Sequence, residues 1–295
     1  MMEIPEAAVI ARQLNEAAKG KKITQAEAEH SPHKLTWYHG DPGKYPDLLK
    51  DKTIAEAYPL GGTLEIRAED AFIALSEGTN LTFLQPGSPL PQKHQLLLKF
   101  EDGSVLFVSV QMYGGILCFR MDEVTNPYYL GAKSKPSPLL DAFDRAYFDA
   151  ILAPEEAKKL SAKALLATGQ RIPGFGNGVL QDVLYNAKIH PKHSSASLSA
   201  REIDALFASV KTTLKEMADK GGRDTEKDLF GVPGGYTTKC SKLTVGKPCG
   251  VCGGIIEKAA YMGGSIYFCP SCQIWHRRSR SRTRVKTRVP SWSGA

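Results

Sequence analysis

Lys247-Pro248-Cys249-Gly250-Val251-Cys252-Gly253 is followed, after a spacer of sixteen residues, by Cys269-Pro270-Ser271-Cys272. Two Cys-x-x-Cys knuckles supply four thiolates, the complement of a tetrahedral zinc site. The spacer length falls in the range for such sites. Gly263-Gly264 suits a hairpin turn and Ser265-Ile266-Tyr267-Phe268 is strand-like, so the segment reads as a β-hairpin closed by one structural Zn2+ on Cys249, Cys252, Cys269 and Cys272. Four thiolates leave no open position for a substrate. The competing reading, free or disulfide-bonded cysteines, needs an oxidising compartment. The first residues carry acids early and no long apolar run, which is not the pattern of a secretory signal. A cytoplasmic protein is therefore expected, with no membrane partner, since no stretch nears the roughly 18 apolar residues of a span.

Ahead of the knuckles the chain reads as helical. Gly221-Gly222 ends a helix that starts at a capping box, Ser199 to Glu202, and carries Ile203, Leu206, Phe207, Val210, Leu214 and Met217 at helical spacing. Upstream, Gly174-Phe175-Gly176-Asn177 opens a helix with Val179, Val183 and Leu184. Ser161 caps a short helix through Leu166. Leu139, Leu140, Phe143, Tyr147, Ile151 and Leu152 form one amphipathic face.

Residues 22–119 differ in character. Short runs at 23–29, 53–58, 63–68, 71–75, 81–84, 95–100 and 105–110 read as strands separated by Gly-containing turns, with a short helix near 45–50. A helix with Pro5 in its first turn and Gly20 after its end precedes them. The fold class expected is α+β and multidomain. An N-terminal β-sandwich with an N-terminal helix spans 1–130, a helical domain 137–235, a four-cysteine finger 240–275 and a basic tail 276–295.

The chain has 295 residues and a net charge of +7, with 38 Lys and Arg against 31 Asp and Glu. Seven cations and no acids lie from Gln273 onward, Arg277, Arg278 and Arg280 among them, so residues 1–272 are formally neutral. A basic run of this kind suits phosphate neutralisation and equally suits a solvated tail.

Taken in order, the motifs resemble one family. Glu3-Ile4-Pro5-Glu6 opens the chain. Gln170-Arg171-Ile172-Pro173-Gly174-Phe175-Gly176-Asn177 lies in the helical part, followed by Ile189-His190-Pro191. Gly234-Gly235-Tyr236 comes next, and the four-cysteine ribbon closes the set. This is similar to the formamidopyrimidine-DNA glycosylase / endonuclease VIII family. The resemblance implies a β-sandwich, a helix-two-turn-helix domain and a zinc finger. It implies a monomer acting in base excision repair on double-stranded DNA, damaged or abasic, nucleoid-associated if bacterial.

In that family an N-terminal proline amine attacks the sugar of the extruded nucleotide, with a neighbouring glutamate as acid/base. The resemblance implies catalytic roles for Glu3 and Glu6 and DNA contacts from Asn177. Against these, Glu3 and Glu6 also suit charges near a helix dipole, and Asn177 suits a plain helix cap.

Several positions depart from the family pattern. Met2 stands where the proline belongs, Gly62 where a Lys belongs, Glu77 where a Met wedge belongs, Met112 and Gly114 where an Arg and a Phe belong, and Gly264 where the finger Arg belongs. Met112 or Tyr113 is the apolar substitute for the wedge. Two functions follow: a glycosylase/AP lyase with altered activity, or a catalytically inactive binder of damaged or structured nucleic acid on the same scaffold.

Overall fold

The computed structural model describes residues 2–275. Helix α1 (Ile4–Ala17) is followed by nine strands in two sheets. Four strands pair in the order β1 (Ile23–Ala28), β7 (Leu96–Phe100), β8 (Val105–Val110), β6 (Thr79–Leu84). Five pair in the order β2 (Thr36–Tyr38), β9 (Gly114–Arg120), β5 (Ala71–Leu75), β4 (Thr63–Ala68), β3 (Ile54–Leu60). Most pairings are antiparallel, as hairpin-joined strands permit, and β2 alone of the named strands joins its neighbour in parallel. A short helix, α2 (Tyr45–Leu49), lies between β2 and β3. The sandwich core is apolar, with Ile23, Ile54, Leu64, Ile73, Leu98, Phe100 and Ile116 fully buried, and α1 adds Ala7, Ile10, Ala11 and Leu14 to it.

Helices α3 (Pro127–Ser134), α4 (Arg145–Leu152), α5 (Glu155–Lys158), α6 (Ala162–Ala167), α7 (Asn177–Asn186) and α8 (Ala200–Asp219) follow. A second core lies among them, built on Phe143, Phe148, Val179, Leu180, Val183, Leu206, Val210 and Leu214. Ile4 of α1 belongs to this core rather than to the sandwich core. One helix thus enters both cores. The hairpin β10 (Glu257–Tyr261), β11 (Gly264–Phe268) ends the described chain, and Met262-Gly263 makes its turn at positive φ. No helix of the described residues is long and apolar enough to cross a membrane.

The α+β architecture expected from the sequence is the one observed. Strands β2 and β9 and helix α3 lie in stretches whose periodicity names no element. Gly114-Gly115 and Cys118 dilute the alternation of β9, and β2 is only three residues long. The face expected to begin at Leu139 is shorter than read: residues 139–143 are turns, Leu140 is exposed, and α4 starts at Arg145 behind an Asp144 cap. The Ser199–Glu202 capping box is present.

The two halves meet where the β3–β4 turn touches the loop before α7. Gly174 sits at φ +76°, and a Cβ on it would lie 1.8 Å from the Gly62 nitrogen. Gly174→Ala should therefore cost more than about 2 kcal/mol, through strain plus forced separation, read as a lower midpoint in chemical denaturation.

Candidate functional site

Glu3, Glu6 and Arg223 converge at the start of α7 although they come from opposite ends of the described chain. Glu3 Oε1 accepts from the Gly178 N–H at 2.9 Å and Oε2 from the Val179 N–H at 2.7 Å. These are first-turn amides of α7, which have no partner within the helix and attract a carboxylate. Glu6 grips Arg223 with both oxygens, Nε to Oε1 at 2.9 Å and Nη2 to Oε2 at 2.7 Å. Arg223 Nη1 stands 3.4 Å from Glu3 Oε2. Arg223 is only 1% exposed, and both carboxylates are buried with it.

Two acids around one cation leave unequal protonation. Burial pushes the Glu3 carboxyl above its ordinary range, and the charge of Glu6 adds to this against the pull of Arg223 and the two backbone amides. For Glu6, burial acts in the same direction, but the charge and hydrogen bonds of Arg223 outweigh it and hold the carboxyl low. Glu3 is therefore the member of the pair that can hold a proton. The sequence pattern around Asn177 is explained by the same cluster. A Cβ on Gly176 would lie 2.4 Å from Glu3 Oε1, and one on Gly178 would lie 1.7 Å from Arg223 Nη1. Gly-Asn-Gly lets two side chains press against a helix start.

Asn177 does not cap α7 through its side chain, since Gly176 holds the cap position. Its Nδ2 donates to the Ser265 carbonyl of the hairpin at 2.8 Å. Neighbouring contacts fix the hairpin to the same helices: Lys163 Nζ donates to the Tyr261 carbonyl at 2.8 Å, and the Tyr267 N–H donates to Gln181 Oε1 at 3.0 Å. A Cβ on Gly264 would stand 3.6 Å from Lys163 Nζ and 3.9 Å from Asn177 Nδ2. Two side-chain nitrogens thus already occupy the surroundings of the position aligned with the finger Arg.

The four knuckle cysteines come together as their spacing requires. Their sulfurs all lie within 4.8 Å of one another. Cys249 and Cys272 are 3.8 Å apart, and Cys252 and Cys269 are 3.4 Å apart. Such separations are too long for a disulfide of about 2.05 Å. They are close to the roughly 3.8 Å edge of a thiolate tetrahedron around an ion at about 2.3 Å. The donor set therefore fits a tetrahedral metal ion.

Between the sandwich and the helical half lies a cavity of about 580 Å³, lined by Trp37, Tyr38, Gly62, Thr63, Ser76, Glu77, Tyr113, Tyr128, Tyr129, Gln170 and Gly174 among others. Among the described residues, no Lys or Arg lines it. Gly62 cannot simply be exchanged for Lys, because a Cβ there would lie 2.6 Å from the Gly174 Cα. Glu77, aligned with the wedge, instead forms part of this cavity's wall. Burial, with the charge of Glu3, raises its carboxyl to about 7. Met112 is exposed at the β8–β9 turn, and the Tyr113 ring beside it packs against the exposed Trp37 at 6.2 Å. A second cavity of about 480 Å³ is lined by Met2, Glu6, Thr79, Gln111, Asp228 and Lys242 among others. Arg277, Arg278 and Arg280 lie outside the described residues.

Arg223, Trp37 and Lys163 are not legible as site residues in the sequence. Arg223 follows Gly221-Gly222 with no neighbour that marks it, and its partners are 217 and 220 positions away. Only the acids at Glu3 and Glu6, buried and needing a cation, hint that one exists.

A sandwich and a helical domain joined over a cleft, with a thiolate-clamped hairpin docked on the second, define a helix-two-turn-helix protein with a cysteine finger. Residues 135–228 match the family profile described as the formamidopyrimidine-DNA glycosylase H2TH domain. Formamidopyrimidine-DNA glycosylase of Lactococcus lactis subsp. cremoris is 29% identical over 283 residues, covering 92% of this chain and 99% of its own. The enzyme of that name from Bacillus cereus is 27% identical over 286 residues, with the same coverage. Among solved structures, the complex between the Lactococcus lactis protein and DNA containing an abasic site superposes with a TM-score of 0.77 at 25% identity, over 92% of this chain and 99% of that one. The Thermus thermophilus protein shares the fold, with a TM-score of 0.76 at 24% identity, over 92% and 98%. Over nearly its whole length the chain is thus similar to formamidopyrimidine-DNA glycosylases, and residues 135–228 match the H2TH domain of that family.

The raised carboxyl of Glu77 has a consequence for stability. Between about pH 4.5 and 7 the folded chain holds a proton that the unfolded chain has released, so stability falls as pH rises through that window. Glu77→Gln should remove this slope. The variant should gain about 3 kcal/mol relative to the parent between pH 4 and pH 8, measured from urea unfolding curves at the two pH values.

Proposed function

We propose that this chain is a base-excision repair protein that binds double-stranded DNA carrying a damaged base or an abasic site, as a monomer, and excises bases far less efficiently than its relatives. The convergence of Glu3, Glu6 and Arg223 on the first turn of α7 carries this reading. It joins the acidic opening motif of the sandwich to the helix-two-turn-helix segment, the two parts that must act on one nucleotide. The Lactococcus lactis relative is solved in complex with abasic-site DNA, which supports the same class of ligand for this cleft. The functional division follows the segments 1–130, 137–235 and 240–275, with 276–295 as a basic tail.

In this proposal Glu3 is the acid/base group, since it is the carboxyl that holds a proton, and Glu6 with Arg223 positions it. Asn177 has a second amide N–H beyond the one given to Ser265 and donates it to a backbone phosphate. Met112, exposed at its turn, is the apolar side chain that fills the stack. Arg277, Arg278 and Arg280 supply phosphate contacts that the cavity wall, with no Lys or Arg among the described residues, does not. The departures weaken the covalent step. Met2 stands where a secondary amine would be the nucleophile, and its side chain is buried. A catalytically inactive binder is the second reading, favoured by the lack of any Lys or Arg, among the described residues, in the lining of the larger cavity.

Titration of full-length protein against a duplex with one abasic-site analogue and against the intact duplex, at two salt concentrations, tests the proposal. Binding at least tenfold tighter to the abasic duplex is expected. Deleting residues 276–295 should reduce the slope of log affinity against log salt by about 0.9 for each phosphate that the tail neutralises. Equal affinity for both duplexes would reject it. Borohydride trapping separates the two readings: an adduct that Glu3→Gln reduces supports the enzyme, and its complete absence supports the binder.

The metal of the four-cysteine cluster is proposed to be one structural zinc ion. Its loss should unfold the hairpin, because a site absent from the unfolded chain contributes its binding energy to folding. Elemental analysis should find one equivalent of zinc less in a Cys249→Ser/Cys269→Ser variant than in the parent. That variant should also lose DNA binding by tenfold or more, because the hairpin that Asn177 and Lys163 hold would no longer be ordered.

A further inference from the structure

A second group of metal-type donors lies away from the cleft and takes no part in the reading above. Glu27 sits on the edge strand β1, His30 three residues later, and His94 just ahead of β7, the neighbouring strand. The backbones are clamped together here, with the Glu29 N–H donating to the Gln95 carbonyl at 2.8 Å and the Ser31 N–H to the His94 carbonyl at 3.0 Å. The three side chains are thus held in place by sheet geometry rather than by chance contact of mobile ends.

His30 Nδ1 lies 2.9 Å from Glu27 Oε1, and His94 Nε2 lies 3.2 Å from Glu27 Oε2. One donor atom from each residue falls within 4.8 Å of the other two. The imidazoles are stacked, 4.4 Å between centroids and 6° between planes. Neutral imidazole is the form that ligates a metal. The His94 side chain is only 5% exposed, and its Nδ1 has no hydrogen-bond partner among the described residues. A buried ring whose one bonded nitrogen is aimed at a carboxylate shared with a second imidazole is an unusual use of two histidines. Two imidazoles and one carboxylate form a set suited to Zn2+, Fe2+, Co2+ or Ni2+, with bonds near roughly 2.0–2.2 Å. One dication would neutralise the carboxylate and take both nitrogens at once. Parallel rings do not aim their lone pairs at one shared ion, so binding requires His30, which is half exposed, to turn out of the stack.

We propose that Glu27, His30 and His94 form a second metal site, for a divalent first-row transition ion, independent of the four-cysteine cluster. Its position gives it a structural consequence. The chain beyond His30 runs to β2, which is three residues long and carries Trp37 and Tyr38 into the cavity wall. Ties near this end include the Tyr38 hydroxyl, which donates to the Gln95 carbonyl at 3.4 Å, and Gln95 Nε2, which donates to the Ser31 carbonyl at 2.6 Å. An ion bound by His30, Glu27 and His94 pins the start of that segment to the sheet, and so braces the aromatic wall.

The test uses the full chain with the cysteine cluster already saturated by Zn2+, titrated with Zn2+ and in parallel with Co2+. One further equivalent is expected to bind, with Co2+ at this site giving d–d absorption but no thiolate charge-transfer band. Affinity for that equivalent should fall at least tenfold in Glu27→Gln and in His30→Ala. Both replacements are at half-exposed positions, and circular dichroism should show each still folded. Added metal should also raise the melting temperature of the parent and leave that of the two variants unchanged. No second equivalent, or a second equivalent that both variants retain, would overturn the proposal, because the histidines would then serve only as hydrogen-bond donors to Glu27.

Discussion

Burying one guanidinium between two carboxylates, against the first turn of a helix, is the constraint around which this molecule is arranged. None of the three charges is tolerable alone in the interior. Removing one partner from such a cluster typically costs about 3–5 kcal/mol, because the remaining charge has no water to turn to. The cluster persists because every oxygen is engaged: Glu6 by Arg223, and Glu3 by Arg223 and two amides of α7. The geometry leaves little room for substitution nearby. Gly176 and Gly178 leave the space that the acid and the guanidinium fill. Because α1 also enters both hydrophobic cores, the ion cluster and the apolar packing lock the same joint.

From this joint the rest of the functional face is positioned. Helix α7 starts at the cluster, and its first residue, Asn177, reaches the hairpin. Asp182, further along the same helix, accepts the Lys239 and Cys240 amides at 2.8 Å and 2.7 Å, which steers the chain into the first knuckle. The other end of the finger is held by Gln273, whose amide donates to the Ile189 carbonyl, and by Trp275, stacked on His190. His190 is thus a packing residue, and burial depresses its basicity to about 4. The thiolate cluster orders the hairpin internally, while α6 and α7 set its orientation.

The turn at Gly61-Gly62 packs so tightly on Pro173 and Gly174 that a longer side chain at 62 would part the two halves. The wall this creates is aromatic and carries an acid, with no Lys or Arg lining it among the described residues. An acid in that place disfavours a phosphate and favours a neutral ring. The proposed binding of DNA would draw its charge complementarity from other surfaces, and the excess of cations in this chain lies in its last residues.

Local pattern was enough for what is local. The cysteine spacing announced the cluster, because ligands three positions apart on a knuckle are brought together by the turn itself. Helical and strand periods located α1, α7, α8 and most strands, because those periods follow from the geometry of a single element. The boundaries of α4, the short parallel β2 and the glycine-rich β9 escaped, being set by neighbours rather than by their own residues. Two things were decided only in three dimensions. One is the pairing of Glu6 with Arg223, 217 positions apart, and the other is the meeting of Glu27, His30 and His94. Which distant residues meet depends on how whole elements pack, and no spacing along the chain carries that information.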